Sequence, residues 1–130
     1  MVENNELLLE ETSLLVSQTD LKGKIVYAND IFLKFSEYSL DELLGKPHNI
    51  IRHKDMPKAA FKDLWTHVQA GKTWQGFVKN RSKTGKFYWV YATVFPFGGT
   101  HYLSIRKMAS RDEIEKYTAI YKQMIAEERR

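Results

Sequence analysis

The sequence contains no cysteine among its 130 residues. That absence excludes disulfide bonds, thiolate metal sites and cysteine nucleophiles. Prolines are few, at three, and no apolar run is long enough to predict a transmembrane helix. Residues 1–6 also lack the basic start and apolar centre of a secretory signal. These absences favour a single cytoplasmic domain.

The chain carries a formal net charge of +4, but its basic residues do not form a recognisable nucleic-acid interface. Lys79, Arg81, Lys83 and Lys86 surround a predicted hairpin turn. No base-stacking aromatic pattern or reader motif accompanies them. We therefore expect a solvated hairpin, no nucleic-acid partner and no direct insertion into a membrane.

Residue patterns typical of enzymes are absent. The sequence has no nucleophile with a paired base, no phosphate-binding glycine loop and no carboxylate set for Mg²⁺. His48 and His53 lack the third convergent ligand that a zinc site requires. We expect neither catalytic residues nor a metal site.

Alternation of apolar and polar residues predicts five strands. Residues 13–19 and 24–28 form a hairpin around the turn at 20–23, and residues 73–80, 87–95 and 101–107 form a meander. On the long strand, Trp89, Tyr91 and Thr93 share one face, while Val90 and Val94 lie on the other. The sequence predicts a turn at 96–99.

Capping residues mark the helices between and after these strands. Asn29 precedes a short helix, and Ser39 and Ser110 each open a capping box. A helix is predicted over about 56–70, with Asp55 as its N-cap and Gly71 as its end. Residues 3–11 read as a short N-terminal helix. The helix that begins after Ser110 is predicted either to start a coiled coil or to pack back on the domain.

These elements predict an α+β fold, a five-stranded antiparallel sheet with short helices packed on one face. The predicted organisation is an N-terminal cap segment at 1–12, a globular domain at 13–109 and a C-terminal helix or linker at 110–130. A pocket is expected between the sheet and the middle helices.

The segment 49–57 carries the strongest chemical signal. Arg52 suits bidentate contacts to a phosphate, and the start of the following helix adds a positive dipole end near an anion. The structural alternative is that Asp55 caps the helix and Arg52 forms a surface ion pair with it.

Aromatic and amide residues supply further candidates, each with a structural alternative. Trp65 belongs either to the core or to a pocket wall, and Trp74 is predicted to stack on a ligand ring. Asn80 either reads the edge of a ligand through its amide or satisfies a turn at the end of its strand. Asn29 has the same two interpretations, with helix capping favoured.

The order of elements and a set of motifs resemble the PAS sensory fold, and more closely the flavin-binding PAS domains of bacterial aerotaxis receptors. The motifs are Ala28-Asn29-Asp30, Pro47-His48-Asn49, Arg52-His53, Asp55 to Phe61, Trp65, Trp74, Val78 to Arg81, Tyr88-Trp89-Val90 and Ser104-Ile105-Arg106. They span roughly residues 13–110.

The resemblance implies non-covalent FAD, redox sensing and a role in energy taxis. It implies that Arg52, His53 and Asp55 bind FAD, and that Asn29, His48, Trp74, Asn80 and Tyr88 lie near the cofactor. It also implies a signalling partner protein, such as a chemoreceptor or its signalling domain, and a PAS homodimer.

Two departures from the family are visible, since Thr93 stands where many flavin-binding members have an amide and the loop at 97–100 is short. The absence of cysteine excludes the thiol adduct that photosensory members form with flavin. The alternatives left open are a haem-binding PAS sensor, with His48 or His53 as ligand, and a cofactor-free interaction module.

Overall fold

The computed structural model describes residues 5–130. Its strands form one antiparallel sheet in the order β2-β1-β5-β4-β3. They are β1 Leu15–Asp20, β2 Ile25–Ala28, β3 Trp74–Arg81, β4 Phe87–Phe97 and β5 His101–Met108. The predicted sheet is confirmed.

The long strand β4 extends two residues into the predicted turn, to Phe97. Pro96 pairs with Tyr102, and Phe97 pairs with His101. The turn itself occupies residues 98–100. The prediction of a turn at Pro96 was wrong because the ladder to β5 continues through it, and Gly98 and Gly99, both at positive φ, make the reversal.

The helices are α1 Asp30–Ser36, α2 Leu40–Leu43, α3 Lys58–Gln69 and α4 Arg111–Glu128, with a 3₁₀ turn at His48–Ile51. Three of the predicted caps are confirmed. Asn29 accepts a hydrogen bond from the amide of Phe32, and Ser39 and Ser110 each form a complete capping box.

The start of α3 differs from the prediction. Its N-cap is Pro57, which has no side chain able to accept a hydrogen bond, and Asp55 lies outside the helix. The carboxylate of Glu128 takes the capping role instead, because it accepts hydrogen bonds from the amides of Lys58 at 3.1 Å and Ala59 at 2.9 Å. The anion at this helix end therefore belongs to the protein itself.

The sheet has helices on both faces. Helices α1, α2 and α3 lie on the inner face, which carries Tyr88 and Asn80, and the main apolar core lies between them and the sheet. Helix α4 lies on the outer face, where Tyr121 stacks on Trp89 with ring centroids 6.1 Å apart. The hydroxyl of Tyr121 donates to the carbonyl of Phe77 at 2.5 Å. The prediction of helices on one face holds for the first three, and α4 packs back rather than extending away.

The N-terminal segment runs alongside the start of β4. The amide of Leu7 donates to the carbonyl of Phe87 at 2.8 Å, and the amide of Phe87 donates to the carbonyl of Asn5 at 3.0 Å. Glu6 forms a two-pronged ion pair with Arg111 at the start of α4. Residues 5–14 contain no helix, so the predicted N-terminal helix was wrong there, and its first residues lie outside the described range.

Across residues 5–130, none of the helices is long and apolar enough to cross a membrane.

Candidate functional site

A cavity of about 280 Å³ lies between the inner face of the sheet and α3. It forms because α3 turns Phe61, Leu64, Trp65 and Val68 toward the strands, while the 3₁₀ turn closes one end. The strands contribute Thr19, Asn80, Val94, Tyr102, Ser104 and Arg106. The remaining lining residues are Lys22, Gly23, Pro47, His48, Asn49, Ile51 and Arg52.

Trp65 forms one wall of the cavity. Its ring meets Tyr102 edge to face, with centroids 5.6 Å apart. On its other side it lies against Gly23, where an added Cβ would stand 3.0 Å from two atoms of the indole. Because Gly23 also has φ +84°, a larger residue would strain the turn and displace the wall.

Arg106 is a buried cation at the inner end of the site, and its side chain is 5% exposed. Its Nε donates to the hydroxyl of Ser104 at 2.9 Å, and one terminal nitrogen donates to Oδ1 of Asn80 at 3.2 Å. Both partners are neutral. Burial lowers the pKa of Arg106 to about 10, which leaves the guanidinium positively charged at neutral pH.

Asn80 is 1% exposed and has an unused donor. Its Oδ1 accepts from Arg106, but its Nδ2 has no hydrogen-bond partner among the described residues. Tyr88, its register partner on β4, has a buried hydroxyl in the same condition, and burial raises its pKa. Buried donors are normally paired, so an unpaired donor that lines a cavity indicates a ligand acceptor.

His48 lies at the closed end of the cavity as a neutral imidazole. Its Nε2 is 3.0 Å from the hydroxyl of Ser17, and its ring meets Phe32 edge to face at 5.8 Å. Burial, together with the nearby positive charge of Arg106, lowers the pKa of His48 to about 3. The histidine therefore adds a hydrogen-bonding group but no charge.

Arg52 stands where the cavity opens to the surface. Its guanidinium lies over the ring of Phe61 at 3.7 Å from the centroid, and its Nε has no partner among residues 5–130. A shallow outer groove continues from this point, and it is mainly basic. Its lining comprises Asn49, Arg52, His53, Lys54, Met56, Lys58, Phe61 and Arg81.

The structural alternative for Arg52, a surface ion pair with Asp55, is not found. Asp55 instead pairs with Lys79 on β3, whose Nζ lies 2.9 Å from Oδ2. His53 accepts a hydrogen bond at Nδ1 from the amide of Asp55 over 3.0 Å, which fixes the turn before α3. Arg52 is consequently left free of carboxylates in the described part of the chain.

The structure brings together some of the predicted site residues and separates others. His48, Arg52, Trp65 and Asn80 line the cavity, and His53 lies in the outer groove. The other four line neither the cavity nor the outer groove. Asn29 caps α1, Asp55 pairs with Lys79, Tyr88 lies next to Asn80 on the neighbouring strand, and Trp74 donates from Nε1 to Asp63 at 2.9 Å. For all nine residues, direct contact with a cofactor stays a prediction.

Most residues that line the cavity were not among the predicted site residues, and Arg106 and Ser104 are the two that hydrogen-bond to each other there. The alternation of β5 contains the signal, because Tyr102, Ser104 and Arg106 occupy every second position and a buried face does not normally hold a cation. The family resemblance places Thr93 at a position where many flavin-binding members have an amide. Its hydroxyl accepts from Gln75 at 3.2 Å on the outer face, so the departure at Thr93 does not touch the cavity.

Comparison of the sequence with protein-family models gives a match to the PAS fold over residues 25–106. The aerotaxis receptor of Escherichia coli (strain K12) is 44% identical over 130 residues, which covers 97% of this chain and 26% of that protein. The nitrogen fixation regulatory protein of Klebsiella oxytoca is 26% identical over 105 residues, covering 77% of this chain and 21% of that protein. The chain thus spans about a quarter of the length of these relatives.

Solved structures with the same fold include domains from light receptors. The LOV domain from the blue-light activated histidine kinase of Erythrobacter litoralis EL346 superposes with a TM-score of 0.68 at 13% identity, covering 75% of this chain and 97% of that one. The dark structure of the photoreceptor Aureochrome1 LOV gives 0.68 at 20% identity, covering 88% and 84%. At these identities the likeness is one of fold.

Proposed function

This chain belongs to the PAS fold family, and from that premise we propose that it binds FAD and acts as a redox sensor domain in signalling of the aerotaxis type. The single observation behind the choice of ligand is the cavity beneath the sheet, with unpaired donors at Arg52 and Asn80. The 44% identity to the E. coli aerotaxis receptor supports the type of signalling.

The size of the site fits a ligand that is only partly enclosed. Whole ligand sites usually measure about 300–1,000 Å³, so the cavity of about 280 Å³ suits one ring system rather than a complete dinucleotide. The basic outer groove beyond Arg52 offers a second compartment. A flavin ring inside and a diphosphate with adenosine outside match this division.

The polar groups fit the chemistry of such a ligand. The edge of a flavin ring presents carbonyl oxygens and ring nitrogens, which accept hydrogen bonds from donors such as Nδ2 of Asn80. The guanidinium of Arg52 provides the forked donor set that suits a phosphate oxygen pair. In this arrangement Trp65 and Leu64 enclose the ring and exclude water.

The bound flavin would supply the electron chemistry, and the protein reads its state through hydrogen bonds. Asn80 is the residue that reads it. Reduction of a bound flavin would change one ring nitrogen from a hydrogen-bond acceptor to a donor, and the amide of Asn80 could then rotate to exchange its oxygen and nitrogen. Because Oδ1 now accepts from Arg106, this rotation also breaks the bond between Asn80 and Arg106.

A complete switch between two signalling states needs more free energy than one hydrogen bond supplies. A switch from 1:99 to 99:1 takes about 5.5 kcal/mol, and a single hydrogen bond contributes about 0.5–1.5 kcal/mol. The network of Asn80, Arg106 and Ser104 links β3 to β5 and supplies several contacts that change together. A partial population shift or the cooperative change of this network therefore carries the signal.

The output passes to a signalling partner protein across the outer face of the sheet, where α4 covers Trp89 and Phe77. We further propose that the chain forms a homodimer through the uncovered part of that face. Its location is cytoplasmic, and it has no enzymatic activity. The shared fold with receptor and regulatory proteins supports these points.

The test is the visible absorption spectrum of the purified protein, before and after dithionite. A flavin spectrum that bleaches on reduction, with FAD rather than FMN released on denaturation, is the expected result. The intense absorption band of haem would replace flavin with the haem alternative. A colourless preparation that also rejects added FAD would point to a cofactor-free interaction module.

A further inference from the structure

We propose that Arg106 holds the reduced ring of a bound flavin as an anion, by supplying the positive charge that a second proton would otherwise supply. The inference rests on the proposed function. It concerns a residue that belongs to one of the motifs of the family resemblance but was not among the residues expected to bind FAD, and that lies outside the outer groove. Arg106 lines the cavity and is 5% exposed.

The positive charge of Arg106 is uncompensated. Its two hydrogen-bond partners, Ser104 and Asn80, are neutral. The ion pairs found among the described residues do not include Arg106. Burying an unpaired cation is costly, and an anion placed beside it in the same cavity removes that cost.

No other group around the cavity offsets the positive charge of Arg106. The titratable and charged groups that face the cavity or Arg106 are Lys22 from the β1–β2 turn, His48 from the 3₁₀ turn, Arg52 from the segment after it, Tyr88 from β4 and Tyr102 from β5. His48 is neutral above a pKa of about 3, and the pKa of Tyr88 is raised by burial. None of these groups contributes a negative charge near neutral pH.

The charge of a reduced flavin ring depends on how many electrons and protons it has taken up. A flavin ring that accepts two electrons and one proton carries one negative charge, whereas two electrons and two protons leave it neutral. Reduced flavin in water takes up the second proton as the solution becomes acidic. An adjacent buried guanidinium favours the anion, so the second proton is excluded down to a lower pH.

The experiment measures the midpoint potential of the FAD-loaded protein between pH 5.5 and 6.5, with dithionite as reductant and a reference dye. For a two-electron couple, a tenfold change in one proton's concentration corresponds to about 30 mV. We expect a slope of about 30 mV per pH unit or less, whereas uptake of two protons gives about twice that slope. The larger slope in the wild type would overturn the inference.

Variants assign the effect to the residue. Arg106→Gln should move the slope toward uptake of two protons, and Arg106→Lys should keep the wild-type slope. Lys107→Gln is the matched control, because Lys107 is the next residue on β5 and is exposed. Should Arg106→Gln not retain flavin, Arg106→Met takes its place in the same measurement. An unchanged slope after loss of the charge would overturn the role of Arg106.

The outcomes also separate this inference from the proposed function. A wild-type protein that binds no flavin overturns both. A yellow protein whose potential follows two protons in this pH range leaves FAD binding intact and removes only the role of Arg106.

Discussion

The carboxylate of Glu128 accepts a hydrogen bond from the amide of Lys58 over 3.1 Å, although the two residues are 70 positions apart in the chain. The contact joins the last turn of α4 to the first turn of α3, and α3 forms one wall of the cavity. Since Pro57 provides no cap, the free amides at this helix end depend on Glu128. A residue on α4, at the outer face of the sheet, thus helps to position α3 at the inner face.

Replacing Glu128 with alanine should destabilise the domain by about 0.5–2 kcal/mol, the range measured for loss of an N-terminal cap. Urea unfolding measures the change. Glu127→Ala is the matched control, because among residues 5–130 the side chain of Glu127 bonds to Gln123, one turn earlier in α4, and not to α3. Equal stabilities for the two variants would show that the bond to α3 contributes nothing.

Arg52→Ala should weaken FAD binding by about ten- to a hundredfold, as expected for a hydrogen bond to a charged group of about 1.5–3 kcal/mol. Arg52→Lys should fall between the wild type and alanine, because lysine keeps the charge but not the fork. His53→Ala should also lower occupancy. Titration of the apoprotein with FAD, followed by flavin fluorescence, measures the affinities.

Lys62→Ala is the control for these variants, since Lys62 is an exposed cation on α3 that lines neither the cavity nor the outer groove. Affinities for FAD that are the same in Arg52→Ala and Lys62→Ala would remove Arg52 from the phosphate site.

His48 makes the stability of the domain depend on pH. Burial lowers the pKa of His48 from 6.5 to about 3 in the folded protein, so the unfolded chain binds one more proton between those values. The free energy of unfolding should therefore fall as the pH decreases from about 6.5 toward 3, by up to ~1.4 kcal/mol per pH unit from this group. Urea unfolding at pH 7 and pH 5 measures the loss.

His48→Gln should reduce this dependence on pH, because glutamine does not titrate. Ser17→Ala is the companion variant, since it removes the hydrogen-bond partner but keeps the histidine buried. It should lower stability alike at both pH values. A pH dependence that persists unchanged in His48→Gln would assign the effect to other groups.

Gly76→Ala should destabilise the protein by about 1–3 kcal/mol, because overpacking forces neighbours to move. An added Cβ at Gly76 would stand 2.6 Å from two atoms of the Trp74 ring. The same substitution in a Trp74→Phe background should cost less. A double-mutant cycle by urea unfolding measures the coupling, and purely additive losses would contradict the contact.

Local rules predicted the elements well. The alternation along residues 87–95 placed Trp89 and Val90 on opposite faces, as the ladders confirm. The capping boxes at Ser39 and Ser110 gave correct helix starts because the cap and its partner are three residues apart. Such signals depend on short stretches of chain, so a single sequence contains all that they need.

Relations between distant segments could not be predicted in this way. The cap on α3 comes from Glu128 and the partner of Asp55 is Lys79, so both depend on how the chain folds back. Arg106 is the same kind of case. Its contact with Asn80 follows from the sheet order, which places β5 beside β4 and thereby near β3.

The ion pair between Glu6 and Arg111 anchors the first turn of α4. At about 1.5 Å of rise per residue, this helix of 18 residues is ~27 Å long. A tilt of ~2° about the fixed end carries the opposite tip by ~1 Å, enough to stretch a hydrogen bond near 3 Å past the usual limit. Glu128 lies at that tip, so a tilt of this size would break its hydrogen bonds to the amides of Lys58 and Ala59 while the first turn of α4 hardly moved.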